Sequence, residues 1–168
     1  GLGNASRCGI LVKGANFLET LTKVRTVVFD KTGTLTAGHF EVKNICPASG
    51  FTPQEVLQLA ARAEARSNHP IARSIQRAYR EEARGETNDF QDGGAAYREI
   101  EGRGVKLTAG GSTILAGSTR LLHAEGITTD HLESGCLREA EKPGAGTIVY
   151  VAVDGVLAGY LLIGDEIK

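Results

Sequence analysis

A seven-residue string, DKTGTLT at positions 30–36, constrains this chain most, because an apolar run stands directly before it. The run, TVVF at positions 26–29, is short and rich in β-branched residues, which predicts a buried parallel strand. Asp30 would then lie at the carboxyl end of that strand, where open α/β sheets place their chemistry. The glycine and threonines that follow are typical of a tight loop that offers hydroxyl and N–H groups to an anion.

Phosphoryl transfer is the chemistry that this position favours. The carboxylate of Asp30 can attack a phosphoryl group and carry it as an aspartyl-phosphate. The loop resembles that of phosphatases of the haloacid-dehalogenase superfamily, in which a second aspartate two residues later acts as general acid/base and activates the hydrolytic water. Here that position holds Thr32, which cannot take up a proton in this way. The intermediate should therefore hydrolyse slowly, which suits an enzyme that couples it to a conformational change.

Composition excludes several classes of protein. The 168 residues suffice for one core and part of a second, and the net charge of −1 does not favour a nucleic-acid partner. No apolar stretch approaches the ~20 residues needed to span a bilayer. The three cysteines, Cys8, Cys46 and Cys136, lie far apart, which favours reduced thiols over disulfides or a zinc site.

Two helices are predicted in the first half of the chain. Thr52 can cap a helix whose first position is Pro53, and Glu55 completes a capping box. Pro70 opens the second helix, which places His69 at its N-cap.

The remaining pattern predicts strands and short helices. Asp-Gly at positions 154–155 stands between two apolar runs, which is a strong signal for a hairpin. The predicted strands span 40–46, 97–101, 105–109, 113–116, 147–153 and 156–163, and the short helices span 119–124 and 130–141.

A second candidate site joins polar and glycine-rich elements. Glu64 and His69 flank the junction of the two helices, where they either face one ligand cleft or are a solvated residue and a helix-junction residue. The Gly-Arg-Gly element at 102–104 either lets another group approach the backbone closely or is a simple hairpin turn. Gly117-Ser118 leaves the same two interpretations open.

In order and spacing, these elements resemble the nucleotide-binding domain of heavy-metal-transporting P-type ATPases. The resemblance covers the whole chain through DKTGTLT, Ser-Asn-His-Pro at 67–70, Gly-Arg-Gly and the final hairpin. It implies an α+β fold, an antiparallel sheet flanked by helices, preceded by one strand and loop of an incomplete haloacid-dehalogenase-like α/β domain. The implied boundaries are a piece of the phosphorylation domain at 1–36, the nucleotide-binding domain at 37–163 and a return to the phosphorylation domain at 164–168.

The resemblance also implies which residues surround the adenine and ribose of ATP. The family often has Gly-Asn where this chain has Gly117-Ser118, and serine is shorter and lacks the amide. The implied nucleotide contacts are Glu64, His69, Gly102, Gly104, Val105, Gly117 and Ser118.

For catalysis, the resemblance implies that Asp30 attacks the γ-phosphate of Mg-ATP. Thr32 would help to hold the phosphate, and its carbonyl would bind Mg²⁺ together with Asp30. Lys31 would supply a positive charge, and Thr34 would donate a hydrogen bond to the phosphate oxygens. ATP and Mg²⁺ are thus the implied ligands, and nucleic acid is not an expected partner.

The implied whole protein is a membrane pump, of which this chain is a cytosolic part. Its partners would be the transported heavy-metal cation and its own transmembrane and actuator domains. Residues 5–7 and 67–70 look closer to zinc/cadmium pumps than to copper pumps. Because the chain lacks the family's Thr-Gly-Asp and Gly-Asp-Gly-x-Asn-Asp segments, we expect it to bind ATP but turn it over poorly.

Two alternatives stay open. One is a soluble phosphatase of the haloacid-dehalogenase superfamily whose cap domain reads the substrate, although Thr32 argues against it. The other is a non-catalytic nucleotide-binding or interaction module.

Overall fold

A computed structural model of the chain describes residues 2–29, 36–83, 90, 94–129 and 146–167. Its helices are α1 (Leu2–Arg7), α2 (Ala15–Leu21), α3 (Pro53–Ala63), α4 (Pro70–Glu82) and α5 (Thr119–Ala124). Its strands are β1 (Thr36–Pro47), β2 (Ala96–Ile100), β3 (Gly104–Ala109), β4 (Ser112–Gly117), β5 (Thr147–Val153) and β6 (Val156–Ile167).

The strands form one six-stranded sheet in the order β1-β6-β5-β4-β3-β2, and every neighbouring pair is antiparallel. The predicted antiparallel sheet flanked by helices is therefore confirmed. β2, β3 and β4 each begin one residue before their predicted starts, and β5 matches its prediction. β1 and β6 are longer than predicted because they pair with each other as far as Thr36 and Ile167.

Local signals fix the two long helices. At α3 the Thr52 hydroxyl accepts from the Glu55 N–H, and the Glu55 carboxylate accepts from the Thr52 N–H at 2.8 Å, which is the predicted capping box. At α4 His69 is the N-cap, and Pro70 is the first helical residue, as predicted.

Both faces of the sheet are covered. On one face α3 and α4 bury Val56, Leu57 and Ile75 against the sheet, where they form the larger core. On the other face α5 buries Leu121 and Leu122 in a second cluster. The predicted hairpin between β5 and β6 forms with positive φ at Asp154 (49°) and Gly155 (82°), as a type I′ turn requires.

The segment before the sheet differs from expectation. Residues 24–29 carry no regular secondary structure, and Val28 and Phe29 are 90% and 63% exposed, so the prediction of a buried strand is wrong for this structure. A strand is stabilised by hydrogen bonds to its neighbours, and the strands described in 36–167 pair only with one another. The predicted helix at 130–141 lies outside the described residues.

Two further features concern the chain as a whole. Cys46 is almost fully buried and disulfide-bonded, so the expectation of reduced thiols is wrong for this cysteine, whereas Cys8 is exposed and free. Among the described helices, none has the length and apolar character required to cross a membrane.

Candidate functional site

A cavity of about 270 Å³ lies at one end of the sheet, where the α3–α4 junction meets the turns that follow β2 and β4. The strand register brings these turns together, because Gly104 at the start of β3 pairs with Gly117 at the end of β4. All seven residues that the sequence assigns to the second site line this cavity: Glu64, His69, Gly102, Gly104, Val105, Gly117 and Ser118.

His69 holds a defined position at the cavity because its ring caps α4. The Nδ1 atom accepts a hydrogen bond from the N–H of Ile71 at 3.2 Å. An accepting Nδ1 carries no proton, so the proton of the neutral ring lies on Nε2. His69 therefore retains one N–H group that can donate to a ligand.

Glu64 is the C-cap residue of α3 and is only 7% exposed. Burial raises the pKa of this carboxyl to about 7; Glu99 adds to the rise, and hydrogen bonding with the Ser67 hydroxyl opposes it. The interpretation of Glu64 as a solvated surface residue is therefore wrong. Near neutral pH, the cavity contains a carboxyl group that a small change in its surroundings can ionise.

The Gly-Arg-Gly element forms a tight turn that is hydrogen-bonded to Ser118, the N-cap residue of α5. The N–H of Arg103 donates to the Ile100 carbonyl at 2.9 Å. The Arg103 carbonyl accepts from both the N–H of Ser118, at 2.7 Å, and the Ser118 hydroxyl, at 3.1 Å. Ser118, which departs from the family's asparagine, thus holds two turns of the cavity wall together.

The glycines of this element serve different purposes. Gly102 has φ +65° and open space around it, so it is suited to the conformation of the turn. Gly104 has no room for a side chain, because a Cβ there would lie 2.6 Å from the Cα of Gly117 and closer still to the Ala116 carbonyl. The close approach that the sequence suggested is therefore made between β3 and β4.

Several cavity residues were not identified from the sequence as site residues. Arg103 lies inside the recognised Gly-Arg-Gly element and so had a signal, whereas Glu99 had none beyond its place on the predicted strand β2. The start of β5 had none either, because it reaches the cavity only where β5 extends beyond its pairing with β4 at Tyr150 and Gly117. These additional lining residues are Ser67, Ile71, Glu99, Ile100, Arg103, Thr147, Ile148 and Val149.

The predicted catalytic residues Asp30, Lys31, Thr32 and Thr34 lie outside the described residues, and with them the implied Mg²⁺ ligands. Within the part of the chain that the structure describes, no group of three or more His, Cys, Asp or Glu residues could hold a metal ion.

Known proteins resemble this chain along its whole length. Residues 24–166 match the model of the haloacid dehalogenase-like hydrolase family. All of the chain aligns with a zinc-transporting ATPase of Synechocystis sp. at 46% identity and with a cadmium, zinc and cobalt-transporting ATPase of Bacillus subtilis at 45%. It covers 21% and 22% of those proteins, so it spans about a fifth of the length of the curated relatives it matches.

A solved structure extends the likeness to the fold. The crystal structure of a zinc-transporting PIB-type ATPase in its E2.Pi state superposes with a TM-score of 0.74 at 32% identity. The match covers 99% of this chain and 26% of that one.

Proposed function

Because the chain belongs to the haloacid dehalogenase-like hydrolase family, we propose that it is the ATP-binding part of a heavy-metal-translocating P-type ATPase. ATP bound here would phosphorylate Asp30, and the aspartyl-phosphate would drive transport of a cation across a membrane. The observation that carries the proposal is the convergence of the seven expected nucleotide contacts on one cavity.

The chemistry of the cavity suits an adenine base. Adenine presents a ring-nitrogen acceptor beside an exocyclic amine donor along one edge, whereas guanine presents two acceptors along the same edge. The Nε2–H of His69 can donate to the ring nitrogen, and the carboxylate of Glu64 can accept from the amine. Val105 and Ile148 supply apolar surface for the ring, which is the usual composition of a small-molecule site.

The size of the cavity supports partial enclosure of the nucleotide. Its volume of about 270 Å³ lies just below the ~300–1,000 Å³ typical of sites that enclose a whole drug-sized ligand. A base and part of a ribose would fill it, and the phosphate chain would extend outwards. This leaves the γ-phosphate free to meet Asp30 after domain closure.

The catalytic part of the proposal depends on sequence. Asp30 is the proposed nucleophile, Thr32 and Thr34 are the proposed phosphate contacts, and Lys31 is the proposed nearby charge. When bound, Mg²⁺ would neutralise charge on the transferring phosphoryl group, with Asp30 and Thr32 as its proposed ligands. We propose zinc or cadmium as the transported ion, since the Synechocystis and Bacillus subtilis relatives are named for these metals.

The test is a titration of this chain with ATP in the absence of Mg²⁺, followed through backbone amide shifts. We expect saturable shifts centred on His69, Gly102 and Gly104, weaker shifts in His69→Ala, and no weakening in the control His123→Ala, which changes an exposed histidine on α5. GTP should bind more weakly than ATP.

Three outcomes would overturn the proposal. Without saturable shifts, or with shifts confined to residues 30–36, the cavity would not be a nucleotide site. Rapid hydrolysis of a generic phosphate ester by this chain would instead favour the soluble phosphatase. Unchanged ATP affinity when Glu64 and His69 both become alanine would favour the non-catalytic module.

A further inference from the structure

We propose that Arg103 binds the phosphate groups of the nucleotide and so fixes which way the ligand points in the cavity. This inference rests on the proposed ATP site and adds a residue that recognises the anionic end of the ligand. The juxtaposition behind it is one cation at the cavity wall beside two acidic side chains, Glu64 and Glu99.

The charges around the cavity make a cation necessary for a polyanionic ligand. The described lining residues include two acidic side chains, Glu64 and Glu99. Arg103 is the single Lys or Arg among these described residues. ATP without Mg²⁺ carries about four negative charges, which Glu99, and Glu64 when it is ionised, repel over the distances of a small cavity. The phosphate chain is therefore favoured on the Arg103 side and disfavoured beside Glu99.

The backbone of Arg103 is held in place, whereas its side chain is available. Its N–H donates to Ile100, and its carbonyl accepts twice from Ser118. In the described part of the chain the guanidinium makes neither a hydrogen bond nor an ion pair, and the residue is exposed. A fixed backbone lowers the entropy cost of placing a flexible side chain on a ligand.

The guanidinium group matches this task chemically. Its planar N–H donors can make two parallel hydrogen bonds to a phosphate, and such charge-assisted bonds are stronger than neutral ones. An ammonium group keeps the charge but loses the paired geometry, so lysine should replace arginine only in part. The affinity for adenosine, which has no phosphate, should not depend on the residue at position 103.

The experiment measures the dissociation constants of adenosine, AMP, ADP and ATP by calorimetry, without Mg²⁺, on this 168-residue chain. The variants are Arg103→Ala, Arg103→Lys and the control Arg80→Ala, which removes the same charge from an exposed position in the last turn of α4. We expect Arg103→Ala to raise the dissociation constant of ATP about tenfold, and the increase should grow from AMP to ATP. The dissociation constant of adenosine should change less than about twofold. The ATP affinity of Arg103→Lys should lie between those of the wild type and Arg103→Ala. The ATP affinity of Arg80→Ala should match that of the wild type.

Salt gives a second measurement, in which the ATP affinity of each protein is first compared with its own value at another ionic strength. Raising the ionic strength should weaken ATP binding to the wild type more steeply than binding to Arg103→Ala, since a screened contact has been removed from the variant. Amide spectra of each variant establish that it is folded before the titration.

The outcomes separate this inference from the proposed function. A wild type that binds neither adenosine nor ATP overturns the proposed function and this inference with it. If the wild type binds ATP but Arg103→Ala binds it equally well, only the role of Arg103 is overturned. An equal loss of affinity for adenosine and ATP in Arg103→Ala would show that Arg103 supports the cavity wall and does not bind the phosphates.

Discussion

Gly104 and Gly117 lie opposite each other on β3 and β4, and neither has room for a Cβ atom. A Cβ on Gly117 would lie 2.7 Å from the Cα of Gly104 and closer still to the Arg103 carbonyl. The two strands thus approach through bare backbone at the point where they form the cavity wall. Any side chain at this pair must push the wall apart.

The first prediction compares two glycines of the same element. Gly104→Ala should destabilise the chain by about 3 kcal/mol, because the methyl group meets backbone atoms that cannot rotate away. Gly102→Ala should cost only about 1 kcal/mol, since its φ of +65° is strained for alanine but the space around it is open. Urea unfolding measures both values, and an equal cost at the two positions would contradict the close contact.

The second prediction separates the two roles of His69. His69→Ala should lose about 1 kcal/mol of stability, because the N–H of Ile71 loses its cap. His69→Asn should keep most of that stability, since asparagine is a favoured N-cap residue. Both variants should lose ATP affinity, because both lack the donating ring nitrogen. Thermal unfolding and ATP titration of the two variants provide the test, and normal ATP affinity in His69→Asn would argue against a ring contact.

The third prediction concerns pH. The folded pKa of Glu64 is raised to about 7, above its ordinary value of 4.5, so the folded state holds a proton that the unfolded state releases between these values. The stability from this group is fully present below about pH 4.5 and is lost as pH rises through about 7, by up to about 3 kcal/mol. Glu64→Gln should remove that decline and leave a more stable protein at pH 8.

Denaturant unfolding at several pH values between 4 and 8 tests this. The control is Glu82→Gln, at an exposed position on α4. Its effect on the pH dependence of the unfolding free energy should be smaller than that of Glu64→Gln. A parallel decline in wild type and Glu64→Gln would show that another group causes it.

The fourth prediction concerns Asp30. Incubation of this chain with Mg-ATP should leave no acid-stable phosphate on Asp30, because the sequence lacks the Thr-Gly-Asp and Gly-Asp-Gly-x-Asn-Asp segments that the P-type ATPases use. Acid-quenched labelling with γ-phosphate-labelled ATP, with Asp30→Asn as the control, measures it. Label that appears in the wild type and disappears in Asp30→Asn would contradict the expectation.

Much of the fold was accessible from local sequence signals. The capping box of Thr52 and Glu55 and the proline at position 70 set the starts of α3 and α4, because cap hydrogen bonds form within a few residues. Asp154-Gly155 set the final hairpin for the same reason, since both residues tolerate positive φ. The seven cavity residues were also named in advance, through the resemblance to heavy-metal-transporting P-type ATPases.

The cavity as a whole depended on strand order. Glu99 and the start of β5 join the expected residues only because β2, β3, β4 and β5 are neighbours in the sheet. Sequence patterns do not specify which strands pair at a distance, so these contacts were not predicted. The apolar run at 26–29 shows the same limit, because β-branched residues favour a strand but pairing partners are needed to form one.

The sequence by itself determined the helix starts and the hairpin, since each depends on hydrogen bonds or conformational preferences within a few positions. It also supplied the kinds of side chain available to the site. Only the tertiary structure decided that Glu64 is buried beside Glu99 and that Gly104 meets Gly117. Those relationships depend on distances between segments far apart in sequence, which packing of the core and pairing of the strands establish together.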